Sequence, residues 1–220
     1  MKRAVSLGSL LVLGSAWIIQ GLHVSPETLT NLTQDDFDLG RFMGQWYEVA
    51  VVSTCPHYMR RKQGEPVIVA LELQHVASEQ NFTMTATAFR NGTCKQTSTV
   101  YNLTDLPGHF FHHIARFSAD VYSYVSRTNY DEYAMMLLLS TEKPSGKKAT
   151  TVKLYSRTVD VSPAVLDNFK TLVRQHDISD DTIIINQNKG ECAPSLQETG
   201  DTQPQISMTK ESKGNVVPPV

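Results

Sequence analysis

Residues 81–89, Asn-Phe-Thr-Met-Thr-Ala-Thr-Ala-Phe, put Phe82, Met84, Ala86 and Ala88 on one side of an extended chain and Thr83, Thr85 and Thr87 on the other. That period of two marks a strand with one face on a core and the other in water. Upstream, Gly44–Thr54 (GQWYEVAVVST) is rich in β-branched and aromatic residues. Pro66–Val76 alternates Val67, Val69, Leu71 and Leu73 against Ile68, Ala70 and Glu72. Downstream lie Thr93–Leu103, His109–Phe117, Val121–Thr128, Glu132–Ser140 and Thr150–Arg157. Turn-forming stretches separate the runs: Glu79-Gln80-Asn81, Asn91-Gly92, Leu106-Pro107-Gly108, Ser118-Ala119-Asp120 and Lys143-Pro144-Ser145-Gly146. Eight runs at hairpin spacing predict an all-β sandwich or an antiparallel up-and-down barrel. An eight-stranded barrel is just wide enough to hold one small ligand.

A single helix follows the eighth run. Ser162 is an N-cap, Pro163 suits the first helical position, and Val165, Leu166, Phe169, Leu172 and Val173 share one face. The helix should end near His176, with a short ninth strand over Thr182–Ile185. This order is not that of an immunoglobulin domain, and the Cys–Trp–Cys spacing of that class is missing.

The ends read differently. MKRAVSLGSLLVLGSAWIIQG has two cations, then an apolar stretch, the pattern of a secretory signal peptide over residues 1–22 with cleavage near 20–23. The expected product is secreted and extracellular, with a domain over 23–199 and a disordered tail over 200–220. No later stretch is long and apolar enough to span a membrane. Asn31, Asn81, Asn91 and Asn102 each begin a sequon and are candidate glycosylation sites. Of 220 residues 40% are hydrophobic, which suits one globular domain. Lys+Arg 20 against Asp+Glu 22 leaves a formal charge of -2, unlike a nucleic-acid-binding protein. The 3 cysteines, Cys55, Cys94 and Cys192, are odd in number, so an oxidising compartment leaves one unpaired. No Ser-His-Asp set, carboxylate pair, Walker loop or His-x-x-x-His pattern is recognisable.

Gly44-x-Trp46 at the head of the first run, Thr128-Asn129-Tyr130 after the sixth (with Asn where Asp is usual) and Arg157 at the end of the eighth together resemble the three motifs of the lipocalins. Ser53-Thr54-Cys55-Pro56, Thr128 to Ala134, Lys153 to Arg157 and Gly190-Glu191-Cys192 are similar to the alpha-1-microglobulin branch of that family. The resemblance covers residues 35–197 and points to a stand-alone lipocalin without the Kunitz inhibitor part. It implies an eight-stranded up-and-down barrel with the C-terminal helix packed outside. Trp46 would sit at the closed floor under the Arg157 guanidinium, a structural role.

The same resemblance pairs Cys94 with Cys192 and leaves Cys55 free, in a loop running to about Glu65 across the open mouth. There Cys55 would act as a redox thiol, supported by Lys153, in reductase and radical-trapping chemistry and in disulfide attachment to plasma proteins. The flanking His57, Arg60, Arg61 and Lys62 favour a reactive thiolate. The implied ligand is small and hydrophobic, with haem or a porphyrin as the named possibility and no obligatory cofactor. Cys55 and His113 are the candidate iron ligands. His112 and His113 are adjacent, so one points into the barrel and the other out. Of three lysines the branch uses near the mouth, two fall at Ile114 and approximately Ser140, and only Lys153 remains. Arg116, on the face of Ile114, cannot replace them as an amine nucleophile. The alternatives are a carrier of another apolar ligand without redox activity, or a thiol-dependent isomerase of lipocalin type.

Overall fold

The computed structural model describes residues 32–189 and Cys192. The expected leader, the Asn31 sequon and the tail from Gly200 lie outside the described residues. A short helix α1 (Leu39–Phe42), capped by Asp38, leads into β1 (Gly44–Ser53), and helix α2 (Pro56–Gly64) follows. Then come β2 (Val69–His75), β3 (Asn81–Arg90), β4 (Thr93–Leu103), β5 (His109–Ile114), β6 (Ala119–Thr128), β7 (Tyr133–Glu142) and β8 (Lys148–Ser156). Helix α3 (Pro163–Gln175) and the two-residue β9 (Ile184–Ile185) follow. Each strand pairs antiparallel with the next from β2 to β8; β8 pairs with β1 and β1 with β2, closing an eight-stranded up-and-down barrel. The antiparallel β9 takes the edge of β1 beyond the reach of β2, at Ala50 and Val51.

Two apolar clusters form, as the period-two pattern requires. One fills the barrel: Trp46, Leu71, Phe82, Phe110, Met136 and Tyr155 are among its buried members. The other lies outside, where Val165, Phe169, Leu172 and Val173 of α3 pack on β1, β7 and β8. The Ser162 hydroxyl accepts from the Val165 backbone N–H, and Pro163 opens the helix as expected.

Two stretches depart from the sequence reading. The expected mouth loop after Cys55 is helix α2. Pro56 fixes a helical φ at its first position, no β-branched residue follows before Gly64, and the Met59 N–H donates to the Cys55 carbonyl at 3.1 Å. The expected run His109–Phe117 is a strand only to Ile114. Ala115–Phe117 form a 3-10 turn that ends on Ser118 at φ 45°. Arg116 therefore leaves the strand face of Ile114 and lies over the Phe117 ring at 5.4 Å.

The wall is uneven. β3 and β4 pair along their length, whereas β4 meets β5 through Asn102–Phe111 and Leu103–Phe110 before the pairing stops. A bulge at Val49 interrupts β1, so Glu48 stands opposite Tyr155 and Val51 opposite Lys153.

Candidate functional site

The closed end is built by the three motif segments. Trp46 is fully buried, and its indole N–H donates to the Phe42 carbonyl at 2.8 Å. The Arg157 guanidinium lies 3.6 Å above the ring. It also donates to the carbonyls of Tyr130, Met43, Gln45 and Arg41 at 2.7–3.1 Å. Gly44 has φ 88°, a left-handed backbone that glycine adopts without strain. Thr128 and Asn129 hold the turn. The Thr128 hydroxyl accepts from Tyr130 N–H and donates to the Tyr133 carbonyl, while Asn129 Oδ1 accepts from the N–H groups of Glu132 and Tyr133. That cap needs only an oxygen acceptor, which Asn supplies as well as Asp.

Helix α2 lies at the other end of β1, with Cys55 at its N-cap, free and half-buried. Met59 and Lys62, three apart, turn from the helix into the protein. Lys62 Nζ donates to Glu48 Oε1 at 2.5 Å, and Lys153 Nζ donates to Glu48 Oε2 at 2.7 Å. The side chains of Glu48 and Lys62 are each 4% exposed and that of Lys153 is 19% exposed. Burial alone would raise the Glu48 carboxyl. The ammoniums of Lys153 and Lys62 outweigh it and hold the group well below the usual carboxylate range. Burial likewise works against the charge on Lys153, and Glu48 reverses that, keeping its pKa well above the ordinary value.

The Lys153 ammonium acts on the phenols of Tyr58, Tyr101 and Tyr155 and on the imidazole of His112. Burial raises all three phenols, Tyr58 to about 12, and lowers His112 to about 4 with help from Lys153. At neutral pH these four side chains are uncharged. His112 is 5% exposed, its ring centroid lies 4.4 Å from that of Tyr101, and its Nδ1 has no hydrogen-bond partner among the described residues.

The sequence-predicted residues divide. Cys94 and Cys192 are joined, with Cα atoms 5.7 Å apart across 98 residues. Lys153 reaches the interior. His113 does not: it is 45% exposed, on the opposite face of β5 from His112, and its Nδ1 lies 2.8 Å from Asp120 Oδ1. His113, the candidate iron ligand that the resemblance implied, thus faces outward, and strand alternation gives the interior position to His112. Two of the cations after Cys55 are committed elsewhere, Lys62 to Glu48 and Arg61 to the Tyr58 ring at 5.5 Å. Ile114 and Ser140 are half-buried. Of the described sequon asparagines, Asn91 and Asn102 are exposed and Asn81 is half-buried.

Glu48 and Lys62 were missed. Glu48 had a legible signal, an acid in the apolar run WYEVAVV, two residues from Trp46 and so on the same face. Lys62 had none, because only the docking of α2 turns it inward.

The model of the lipocalin / cytosolic fatty-acid binding protein family matches residues 43–190. Protein AMBP of Pleuronectes platessa is 48% identical over 206 residues, 93% of this chain and 57% of the relative. Protein AMBP of Rattus norvegicus is 34% identical over 198 residues, 89% and 56% of the two chains. The chain thus spans a little over half the length of these curated relatives. The gamma chain of complement component C8 from Oryctolagus cuniculus is 31% identical over 195 residues, 86% and 91% of the two. Among solved structures, the siderocalin Ex-FABP superimposes with a TM-score of 0.58 at 18% identity, covering 77% of this chain and 99% of that one, which supports the fold.

Proposed function

The chain belongs to the lipocalin / cytosolic fatty-acid binding protein family, next to the AMBP proteins and so to alpha-1-microglobulin, and from that premise we propose a secreted carrier of one small hydrophobic ligand with a reactive thiol at its rim. Haem and related porphyrins are the ligands to test first. The observation that carries the reading is the placement of a free, half-buried Cys55 beside a barrel whose interior is lined by aromatic and apolar side chains. The barrel walls bind the apolar body by removing its surface from water. Cys55 supplies sulfur chemistry. An oxidant that takes the thiol hydrogen atom leaves a thiyl radical on Sγ. A partner disulfide attacked by the thiolate gains a bond to Cys55 and releases its other sulfur as a thiolate. Lys153 acts on the ligand compartment through Glu48. Glycans on Asn81, Asn91 and Asn102 belong to the same secreted reading.

Absorbance titration of the purified protein with haemin, wild type beside Cys55→Ser, tests it. The expected result is a haem spectrum altered by the protein, weaker binding in Cys55→Ser, and loss of oxidant reduction in that variant. Unchanged haem binding and reduction in Cys55→Ser would leave a carrier of some other apolar ligand with a spare thiol.

A further inference from the structure

Phe82, Tyr101 and Phe110 belong to the apolar filling of the barrel, so strand alternation turns their neighbours Asn81, Asn102 and Phe111 to the outer face. The registers Asn81–Asn102, Asn102–Phe111 and Phe111–Tyr122 set four side chains in one row across β3, β4, β5 and β6. Directly opposed side chains on one face have Cβ atoms about 4.5–5.5 Å apart. Asn102 Nδ2 donates to the Phe111 carbonyl at 3.4 Å. Tyr122 is 44% exposed, and its ring lies 5.2 Å from that of Phe111 and 5.5 Å from that of His109, which fix its position. Val100, 52% exposed, lies two residues from Asn102 on the same face of β4. An apolar patch left in water thus adjoins the asparagine that begins the sequon Asn102-Leu103-Thr104.

We propose that Asn102 carries an N-linked glycan whose first N-acetylglucosamine lies on the rings of Phe111 and Tyr122, so that the patch is a receptor for the protein's own sugar. The inference rests on the secreted reading above and adds a position and a role for one glycan. In the transfer, the Asn102 amide nitrogen bonds to C1 of the sugar and gives up one proton. The bond from C1 to the diphosphate of a lipid-linked oligosaccharide breaks, and the diphosphate leaves with the electron pair. Nδ2 keeps one hydrogen, enough for its bond to the Phe111 carbonyl, so the sugar starts from a nitrogen held against β5. A pyranose presents C–H bonds on its faces. These meet the negative face of an aromatic ring, and both apolar surfaces leave water. The rings already pack on each other, so little side-chain freedom is lost on contact. Phe110, the next residue of β5, packs on Phe42 of the floor, with 6.3 Å between ring centroids. The glycan therefore covers the flank nearer the closed end and leaves α2 and Cys55 clear.

The test expresses the full chain in a eukaryotic cell line held to high-mannose glycans and trims them to a single N-acetylglucosamine with endoglycosidase H. Wild type is compared with Asn102→Gln and Tyr122→Ser. Peptide mass spectrometry should find the sugar on Asn102. Its proton resonances, identified by their loss in Asn102→Gln, should lie upfield of those of free N-acetylglucosaminyl-asparagine through ring currents, and the shift should shrink in Tyr122→Ser. The thermal midpoint of wild type should exceed that of Asn102→Gln by about 2–4 °C, the scale of one aromatic contact in a chain of this length. With Ser at position 122 the loss of the sugar should cost less. Secreted protein bare at Asn102 would overturn the inference and keep the secreted reading. So would a sugar on Asn102 with the resonances of the free compound. A dimer of the glycosylated wild type in sedimentation, dissolved by Tyr122→Ser, would also overturn it, because a second copy would then occupy the patch. A chain retained in the cell without any glycan would overturn both.

Discussion

Lys62 Nζ and Glu48 Oε1 are 2.5 Å apart and sealed from solvent, so an ion pair inside the barrel fastens α2 to β1. With Lys153 on the second oxygen, the carboxylate ties two walls and the mouth helix together. Removing one partner of a buried charge group leaves the others uncompensated. Glu48→Ala, which strands two ammoniums, should therefore destabilise the protein by about 3–5 kcal/mol. Urea unfolding checks this. A loss below about 1 kcal/mol would show that water reaches the lysines and shields them.

Arg157 and Trp46 are the matching device at the floor. Arg157→Ala removes the cation–π contact and donors to four carbonyls, and should cost about 2–4 kcal/mol. Trp46 fluorescence should resist iodide in the native state and become quenchable on unfolding. Ready quenching of the folded wild type would contradict its burial.

His112 gives acid sensitivity of definite sign. Burial, with Lys153 adding to it, lowers His112 from 6.5 to about 4, so the folded state prefers the neutral ring. As pH falls below 6.5 the unfolded chain takes up the proton first. The stability is present above pH 6.5 and lost progressively between 6.5 and about 4, on the order of 2–3 kcal/mol in full. Chemical unfolding at a series of pH values should show that slope, and His112→Phe should flatten it. His109 and His176, also lowered by burial, leave a residual slope of the same sign. Below the ordinary carboxylate value of 4.5 the Glu48 contribution is lost in turn, because its folded pKa lies lower still.

The bond between Cys94 and Cys192 joins β4 to the segment beyond β9. Closing a loop of 98 residues should stabilise by about 4–5 kcal/mol on the chain-entropy account. Cys94→Ser should lower the thermal midpoint accordingly, and peptide mapping of the wild type should recover Cys94 and Cys192 in one linked pair. Mapping that placed Cys55 in the bridge would reject this arrangement.

Much of this protein was written locally. Alternation in residues such as Phe82, Met84 and Val69, Leu71, Leu73 specifies which side of each strand meets the core, because successive side chains point to opposite faces. Ser162-Pro163 and the face of Val165, Phe169 and Leu172 specify α3 in the same way, through capping and period. The motif residues Gly44, Trp46, Asn129 and Arg157 were legible as family marks, and their roles follow from backbone and ring geometry at one end of the barrel. The choice between a sandwich and a barrel was not local; it required β1 to pair with both β2 and β8, contacts far apart in sequence. The interior chemistry was decided the same way. His112 and His113 are adjacent and alike, and strand phase alone separates a buried imidazole from one facing Asp120. Lys62 stands beside Arg60 and Arg61 in sequence and looks like a surface cation. The docking of α2 brings it to Glu48, fourteen residues away, because a buried carboxylate binds whatever ammonium the fold delivers to it.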